Sequence, residues 1–201
     1  MDKVDLRAER RDLYAPKPGV FTIVEVPAFR FLATDGRGDP DTVPEYPAAV
    51  AALFAASYAA KFLSKGQLGR DYVVLPLEGL WRSEGHDFSD RGGWDWTMLI
   101  RQPDWLDAGL LEESLRRAAA KGHSGVDLRV EDYAEGLSVQ TLHLGAYDAE
   151  APTIARLHDE FLPAEGLEET GDHHEIYLSD PRRVAPEKLR TILRQPVRRL
   201  R

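Results

Sequence analysis

An internal repeat in the order of its elements restricts this chain more than any other feature. Each half reads strand, turn, helix, strand, strand, with a glutamate in its third element, Glu78 in one and Glu175 in the other. Each closes on a similar tetrapeptide, Ile100-Arg101-Gln102-Pro103 and Leu193-Arg194-Gln195-Pro196. A chain of this length offers on the order of one such short coincidence, so the order of the elements carries the weight. Two strand-helix-strand-strand modules side by side imply an α+β fold. It has pseudo-two-fold symmetry, an antiparallel sheet with its helices on one face, and a ligand cleft at the seam. The expected organisation is an N-terminal arm over 1–18 and one domain over 19–201. Within it the first module covers about 19–104, a connecting helix about 105–122, and the second module about 123–201.

The local pattern supports these elements. Val20 to Thr34 is extended, with Phe21, Ile23 and Glu25 alternating and Pro27 interrupting the ladder. Asp35-Gly36-Arg37-Gly38-Asp39-Pro40 is a turn. A helix over about Glu45–Ser64 carries Pro47 in its first turn and Val50, Leu53, Phe54, Tyr58 and Phe62 as an apolar stripe. Tyr72–Trp81 and Trp94–Arg101 are strands joined by a polar loop over 83–93. Asp107 caps a helix that Gly122 ends, with Glu112–Arg116 and Glu113–Arg117 as pairs on its wet face. Val126–Val130 and Leu137–Leu144 are extended. Asp148 caps a helix with Pro152 in its early turns and Ile154, Leu157, Phe161 and Leu162 as its stripe.

The chemistry centres on His173-His174-Glu175-Ile176-Tyr177-Leu178, a short strand stopped by Ser179-Asp180-Pro181. A period of two puts His173, Glu175 and Tyr177 on one face and His174, Ile176 and Leu178 on the other. A mid-strand carboxylate is costly to bury unless something solvates it, so Glu175 faces water, pairs with a base or lines a cavity, and the cavity is the expectation. Four tryptophans, Trp81, Trp94, Trp96 and Trp105, lie outside the long helices, and Tyr147 and Tyr177 come from the second half. Aromatic faces with one or two carboxylates, here Glu175 and Glu78, suit a flat or cationic ligand through stacking and cation–π contact. Trp105, beside Pro103, reads as core.

Several function classes fall away. A net charge of −8 argues against general nucleic-acid binding. The absence of cysteine removes thiolate metal sites, disulfides and cysteine nucleophiles. The six histidines fall in separate elements or, for His173 and His174, on opposite strand faces, so no metal or other cofactor is expected. Gly36-Arg37-Gly38 lacks the spacing and the lysine of a phosphate loop. No run approaches the roughly 18 apolar residues of a membrane helix, and the N-terminus has no signal core. The expectation is a cytoplasmic protein without membrane partners.

The chain resembles the GyrI-like small-molecule-binding superfamily, most nearly its stand-alone branch. The matching segments are Asp12-Leu13-Tyr14 with Pro16, Val24-Glu25-Val26-Pro27, Asp35-Gly36-Arg37-Gly38-Asp39-Pro40 and Pro76-Leu77-Glu78-Gly79-Leu80-Trp81. They continue with Trp94-Asp95-Trp96, Ile100-Arg101-Gln102-Pro103 and His174-Glu175-Ile176-Tyr177-Leu178-Ser179-Asp180-Pro181-Arg182-Arg183. The resemblance implies a duplicated module whose cleft takes apolar, often aromatic or cationic, small molecules. In relatives fused to AraC-type DNA-binding domains that module senses drugs, whereas this chain has no helix-turn-helix to spare. Some stand-alone relatives look like hydrolases that open the cyclopropane of DNA-alkylating antibiotics with a strand glutamate, which maps onto Glu175. Family aromatics map onto Trp81, Trp96, Tyr147 and Tyr177. Close relatives often carry a second tryptophan where this chain has Arg82. The alternatives are a non-enzymatic drug sensor or sequestering protein, and a gyrase-modulating interaction protein.

Overall fold

The structure, a computed structural model, describes residues 3–83 and 90–200. Residues 84–89, which include His86 and most of the polar loop expected at 83–93, lie outside the described residues, as does Arg201. The strands are β1 (Lys3–Val4), β2 (Thr22–Val26), β3 (Phe29–Arg37), β4 (Asp71–Tyr72), β5 (Glu78–Arg82), β6 (Asp95–Gln102), β7 (Arg129–Tyr133), β8 (Gly136–Leu144), β9 (Leu167–Glu169), β10 (His173–Tyr177) and β11 (Arg190–Arg199). The helices are α1 (Leu6–Glu9), α2 (Arg11–Tyr14), α3 (Glu45–Leu63), α4 (Ala108–Ala118), α5 (Ala151–Arg156) and α6 (Leu162–Ala164). They form two compact units, Met1–Glu9 with Phe29–Tyr133 and Arg10–Ala28 with Ala134–Arg201.

The duplicated module is visible in the strand pairings, and the fold is α+β, antiparallel except for the short parallel pair of β1 with β4. The first unit orders its strands β5-β6-β3-β7, and the second β10-β11-β8-β2. In each, strand, helix, strand, strand follow in sequence: β3-α3-β5-β6 and β8-α5-β10-β11. The remaining edge strand of each sheet comes from the segment that precedes the other module's first strand. β2 precedes β3 but pairs with β8, and β7 precedes β8 but pairs with β3.

In the first unit, α3 covers the β6 face that carries Met98, Ile100 and Gln102, where Gln102 Nε2 donates to Ser57 Oγ at 3.1 Å. The face α3 turns inward is its alanine side: Ala49, Ala52, Ala56 and Ala60, with Leu53 and Leu63. This corrects the expected stripe. Leu53 is buried, but Tyr58 and Phe62 are 49% and 61% exposed. Small side chains let the helix backbone lie close to the sheet and to α4, which larger rings would prevent. By length and composition α3 and the turn after it could cross a membrane, but this segment is mostly buried inside the fold. Asp107 caps α4 through its carboxylate, which accepts from Leu110 N at 2.8 Å. Glu113 takes both Arg116 and Arg117, so the expected Glu112–Arg116 pair gives way to a fork on one carboxylate.

In the second unit the two sheet faces differ. On one, Ile23, Leu137, Val139 and Val197 pack under Leu157, Phe161, Leu162 and Leu167. On the other, Glu135, His174, Arg194 and Gln140 form a buried polar layer against α2. Arg194 donates to Glu135 Oε2 at 3.0 Å, to Gln140 Oε1 at 3.0 Å and to the Leu13 carbonyl at 3.1 Å. His174 Nδ1 lies 2.9 Å from Glu135 Oε1. Leu13 and Tyr14 are buried, which ties down the segment before β2.

Candidate functional site

The register of the second sheet settles which side chains share a face. Glu175 pairs with Leu193 and Tyr177 with Thr191, while Thr191 pairs with His143 and Leu193 with Thr141. Opposite residues in a ladder point the same way. His173, Glu175, Tyr177, Thr191, Thr141 and His143 therefore occupy the face that carries Val139 and the helices. The strand period read from the sequence thus holds for His173, Glu175 and Tyr177. The apolar cover sits at the Leu137–Val139 end of this face, and the rows Glu175–Leu193–Thr141 and Tyr177–Thr191–His143 follow toward the other end.

A tight turn delivers the remaining groups. Gly145 has φ +139°, in the region only glycine enters freely, and a Cβ there would meet His143 Nε2 at 3.1 Å. Its N–H donates to the Leu189 carbonyl at 3.1 Å, which closes the end of the β8–β11 pair. The chain then makes one short helical turn, Tyr147–Ala149, and α5 begins, with Glu150 just before its first residue. Asp148, expected as the cap, lies inside this turn instead. The ring of Tyr147 meets that of Tyr177 edge-on, with centroids 5.6 Å apart and planes at 77°.

The electrostatics here are unusual for a sheet face. Glu150 is 3% exposed, and its Oε1 has no hydrogen-bond partner. Burial pushes its pKa well above the carboxylate range, and the charge of Glu175 and a bond to that carboxyl push the same way. The Thr191 hydroxyl works against this, though no bond of ordinary geometry closes on its Oγ1. Thr141 Oγ1 and both ring nitrogens of His173 are also buried without a hydrogen-bond partner. The Nε2 of His173 stands 3.5 Å from Glu175 Oε1, with the two side chains 10% and 15% exposed. Tyr147 is pushed up to about 12, by burial first and then by Glu150, Glu175 and Asp180. Its phenol stays a hydrogen-bond donor across the physiological range. Asp180, at the turn after β10, is pulled down to about 2 by its bonds to Arg182. Among the described residues, no group of three or more His, Asp or Glu side chains is arranged to hold a metal.

The first unit gathers the predicted tryptophans. Trp81 pairs with Trp96 across β5 and β6. Tyr46, from α3, lies 6.3 Å from the Trp81 ring and edge-on to Trp96 at 5.3 Å, and Trp94 is edge-on to Trp81 at 5.6 Å. Trp96 lies directly over Gly36, where a Cβ would fall 2.0 Å from its Cη2. Trp105 packs as expected, its Nε1 donating to Ser64 Oγ at 3.0 Å. Glu78 is buried but lies on the opposite face of β5 from Trp81, since three residues separate them. Nor does Glu78 correspond to Glu175 in the repeat. Aligning Ile100 with Leu193 puts Glu78, which pairs with Leu99, at the position of Ile176. The two strand glutamates are therefore one residue out of step.

Glu150 is the group that sequence reasoning missed. It precedes a helix with Pro152 in its first turn, where an acidic residue ordinarily reads as a solvated, dipole-stabilised anion. No signal in the sequence separates that case from this buried one.

A family model described as the GyrI-like small molecule binding domain matches residues 20–198. The chain belongs to the GyrI-like family. Among solved structures, an uncharacterized conserved protein of Listeria innocua is 43% identical to this GyrI-like chain. The match covers 98% of this chain and 100% of the other, with a TM-score of 0.88. A hydrolase of Listeria innocua is 41% identical over 98% of this chain and 100% of its own, with a TM-score of 0.85. The C-terminal domain of EcmrR is 11% identical over 90% of this chain and 98% of its own, with a TM-score of 0.54, and shares the fold alone. No curated protein matches this GyrI-like chain.

Proposed function

We propose that this GyrI-like protein binds flat, apolar or aromatic small molecules and adds water to a strained, electrophilic ring carbon in them, as in cyclopropane-bearing alkylating toxins. The observation that carries this reading is the concentration of buried, unpartnered polar atoms on one sheet face. Thr141 Oγ1, Thr191 Oγ1 and the His173 ring share the face of Glu175 and its neighbour Tyr177, and Glu150 Oε1 is buried just before α5. Native proteins rarely leave so many buried polar atoms without partners, and a polar ligand group or an attacking water would satisfy them. The hydrolase of Listeria innocua, similar over its whole length, supports a hydrolytic reaction.

In this reading Glu175 is the general base. It takes a proton from water as the water oxygen bonds to a ring carbon. The carbon–carbon bond of the cyclopropane breaks, and its electron pair ends on the oxygen of a conjugated carbonyl, which solvent then protonates. The phenol of Tyr147 donates to that oxygen, and Tyr177 holds the Tyr147 ring edge-on. Opening the ring with water removes the toxin's alkylating power, which is detoxification.

The test is Glu175→Gln with a cyclopropane-bearing alkylator as probe. The expected result is a loss of turnover of about 100-fold or more, read by mass spectrometry of the ring-opened product. Probe affinity, read by fluorescence titration, stays within a few-fold. Unchanged turnover in the variant overturns Glu175 as the base. Binding without turnover in the wild type overturns the hydrolytic step and leaves a sequestering protein.

A further inference from the structure

We infer that Glu150 is the positioning partner of Glu175: its neutral carboxyl donates a hydrogen bond to the Glu175 carboxylate and aims the free oxygen of Glu175 at the attacking water. The inference rests on the reading of Glu175 as the base.

The geometry behind it is local. The Gly145 turn and the helical turn Tyr147–Ala149 lead to Glu150, which is only 3% exposed and whose Oε1 has no hydrogen-bond partner. Two carboxyl groups in hydrogen-bond contact cannot both be ionised without strong repulsion, so the pair holds one proton between them. Of the two, Glu175 has the more open side chain, 15% exposed, so the proton belongs on Glu150. The groups that face this pair are His173 on the same strand, Thr191 on β11, Thr141 and His143 on β8, Tyr147 in the turn, and Tyr177 and Asp180 at the end of β10. Among the described residues, no arginine or lysine pairs with Glu150. A helix N-terminus usually favours an anion, but here burial and the second carboxylate outweigh it.

The consequence is a proton circuit that balances. Glu175 accepts the proton of the attacking water while Glu150 keeps its own. The pair then carries two protons and returns one to solvent after the product oxygen has been protonated. At high pH the proton of Glu150 leaves as well. A second negative charge then stands beside Glu175, the hydrogen bond is lost, and the base loses its orientation. The rate therefore falls on an alkaline limb that belongs to Glu150.

The experiment compares pH–rate profiles of the wild type, Glu150→Gln and Glu150→Leu on the cyclopropane probe, and follows the side-chain carboxyl carbon of Glu150 by carbon-13 NMR in the resting protein. Glu150→Gln keeps a neutral donor that cannot titrate. It is expected to lose a few-fold in kcat and to lose the alkaline limb. Glu150→Leu removes the donor and is expected to lose at least ten-fold more in kcat than Glu150→Gln, with KM little changed. An alkaline limb that persists in Glu150→Gln overturns the assignment. The NMR titration separates this result from failure of the hydrolytic reading, because it needs no turnover. A Glu150 carboxyl ionised at neutral pH overturns the inference whatever the enzyme does, and a protonated one supports it where Glu175→Gln has abolished turnover.

Discussion

Replacing Glu135 with glutamine tests the buried charge layer in the second unit. Glu135 is 2% exposed at its side chain, between His174 at 1% and Arg194 at 3%. Burial alone raises a carboxylate pKa. Here the charges and hydrogen bonds of His174 and Arg194 overcome that and hold Glu135 at about 2. The ordinary value of 4.5 then lies above the folded one by 4.5 − 2 = 2.5 units. At about 1.4 kcal/mol per unit, the ionised form stabilises the fold by ~3 kcal/mol. Because the folded pKa is depressed, this stability is fully present above the unfolded pKa and is lost as the pH falls through the folded one. The difference between wild type and Glu135→Gln should therefore be ~3 kcal/mol at pH 7, fall to ~2 kcal/mol near pH 3.5, and approach zero near pH 2. All four tryptophans lie in the first unit, so indole fluorescence reports the wrong part of the chain. Amide exchange over Gly136–Leu144 and Arg190–Arg199 reports the right one. A difference below ~1 kcal/mol at pH 7, or one that does not shrink with acid, refutes the argument that Glu135 is held ionised by Arg194 and His174.

Two further predictions concern packing in the first unit. Gly36→Ala places a methyl 2.0 Å from Trp96 Cη2, so the indole must move, and the cost is expected at ~1–3 kcal/mol by urea unfolding followed through tryptophan emission. On α3, Ala56→Leu should cost a similar ~1–3 kcal/mol, because Ala56 is fully buried. Phe62→Ala should change stability by less than ~0.5 kcal/mol, since the ring faces water. The opposite ranking of those two would mean that α3 is rotated about its axis.

How much of this was legible in the sequence depended on which rule governed each residue. Strand parity depends only on the geometry of the extended chain, so placing His173, Glu175 and Tyr177 together survives intact. The repeat was legible for the same reason, because element order reflects the chain and not its packing. Helix orientation was harder. On α3 the large residues recur at helical spacing, and so do the alanines, and only the closeness of the neighbouring layers decides which side is buried. The Glu78–Glu175 correspondence failed through a one-residue offset in register, which inverts a side chain's face and leaves no trace in composition. Glu135 and Glu150 were invisible for a third reason. Each lies in a polar connection, beside Gly136 or before Pro152, where an acidic residue normally faces water.

Those two glutamates show how one sheet can hold acids in opposite states. Along β11 the side chains alternate: Ile192 and Arg194 serve one face, Thr191 and Leu193 the other. The face with Arg194 gives Glu135 a cation and a histidine, and its carboxylate is held ionised. The face with Thr191 gives Glu150 a hydroxyl and a second carboxylate, and its carboxyl is held neutral. Burial is common to both, so burial does not distinguish structural acid from candidate catalytic acid. The sign of the nearest charge does. An ion layer with matched partners holds the sheet to α2, and its carboxylate Glu135 stays ionised near neutral pH. A pair of like charges with one proton between them lies closer to such an exchange, at the end of the sheet face where the apolar cover stops. That asymmetry across a single strand is the physical ground for placing the chemistry at Glu175 and Glu150, and the structural role at Glu135.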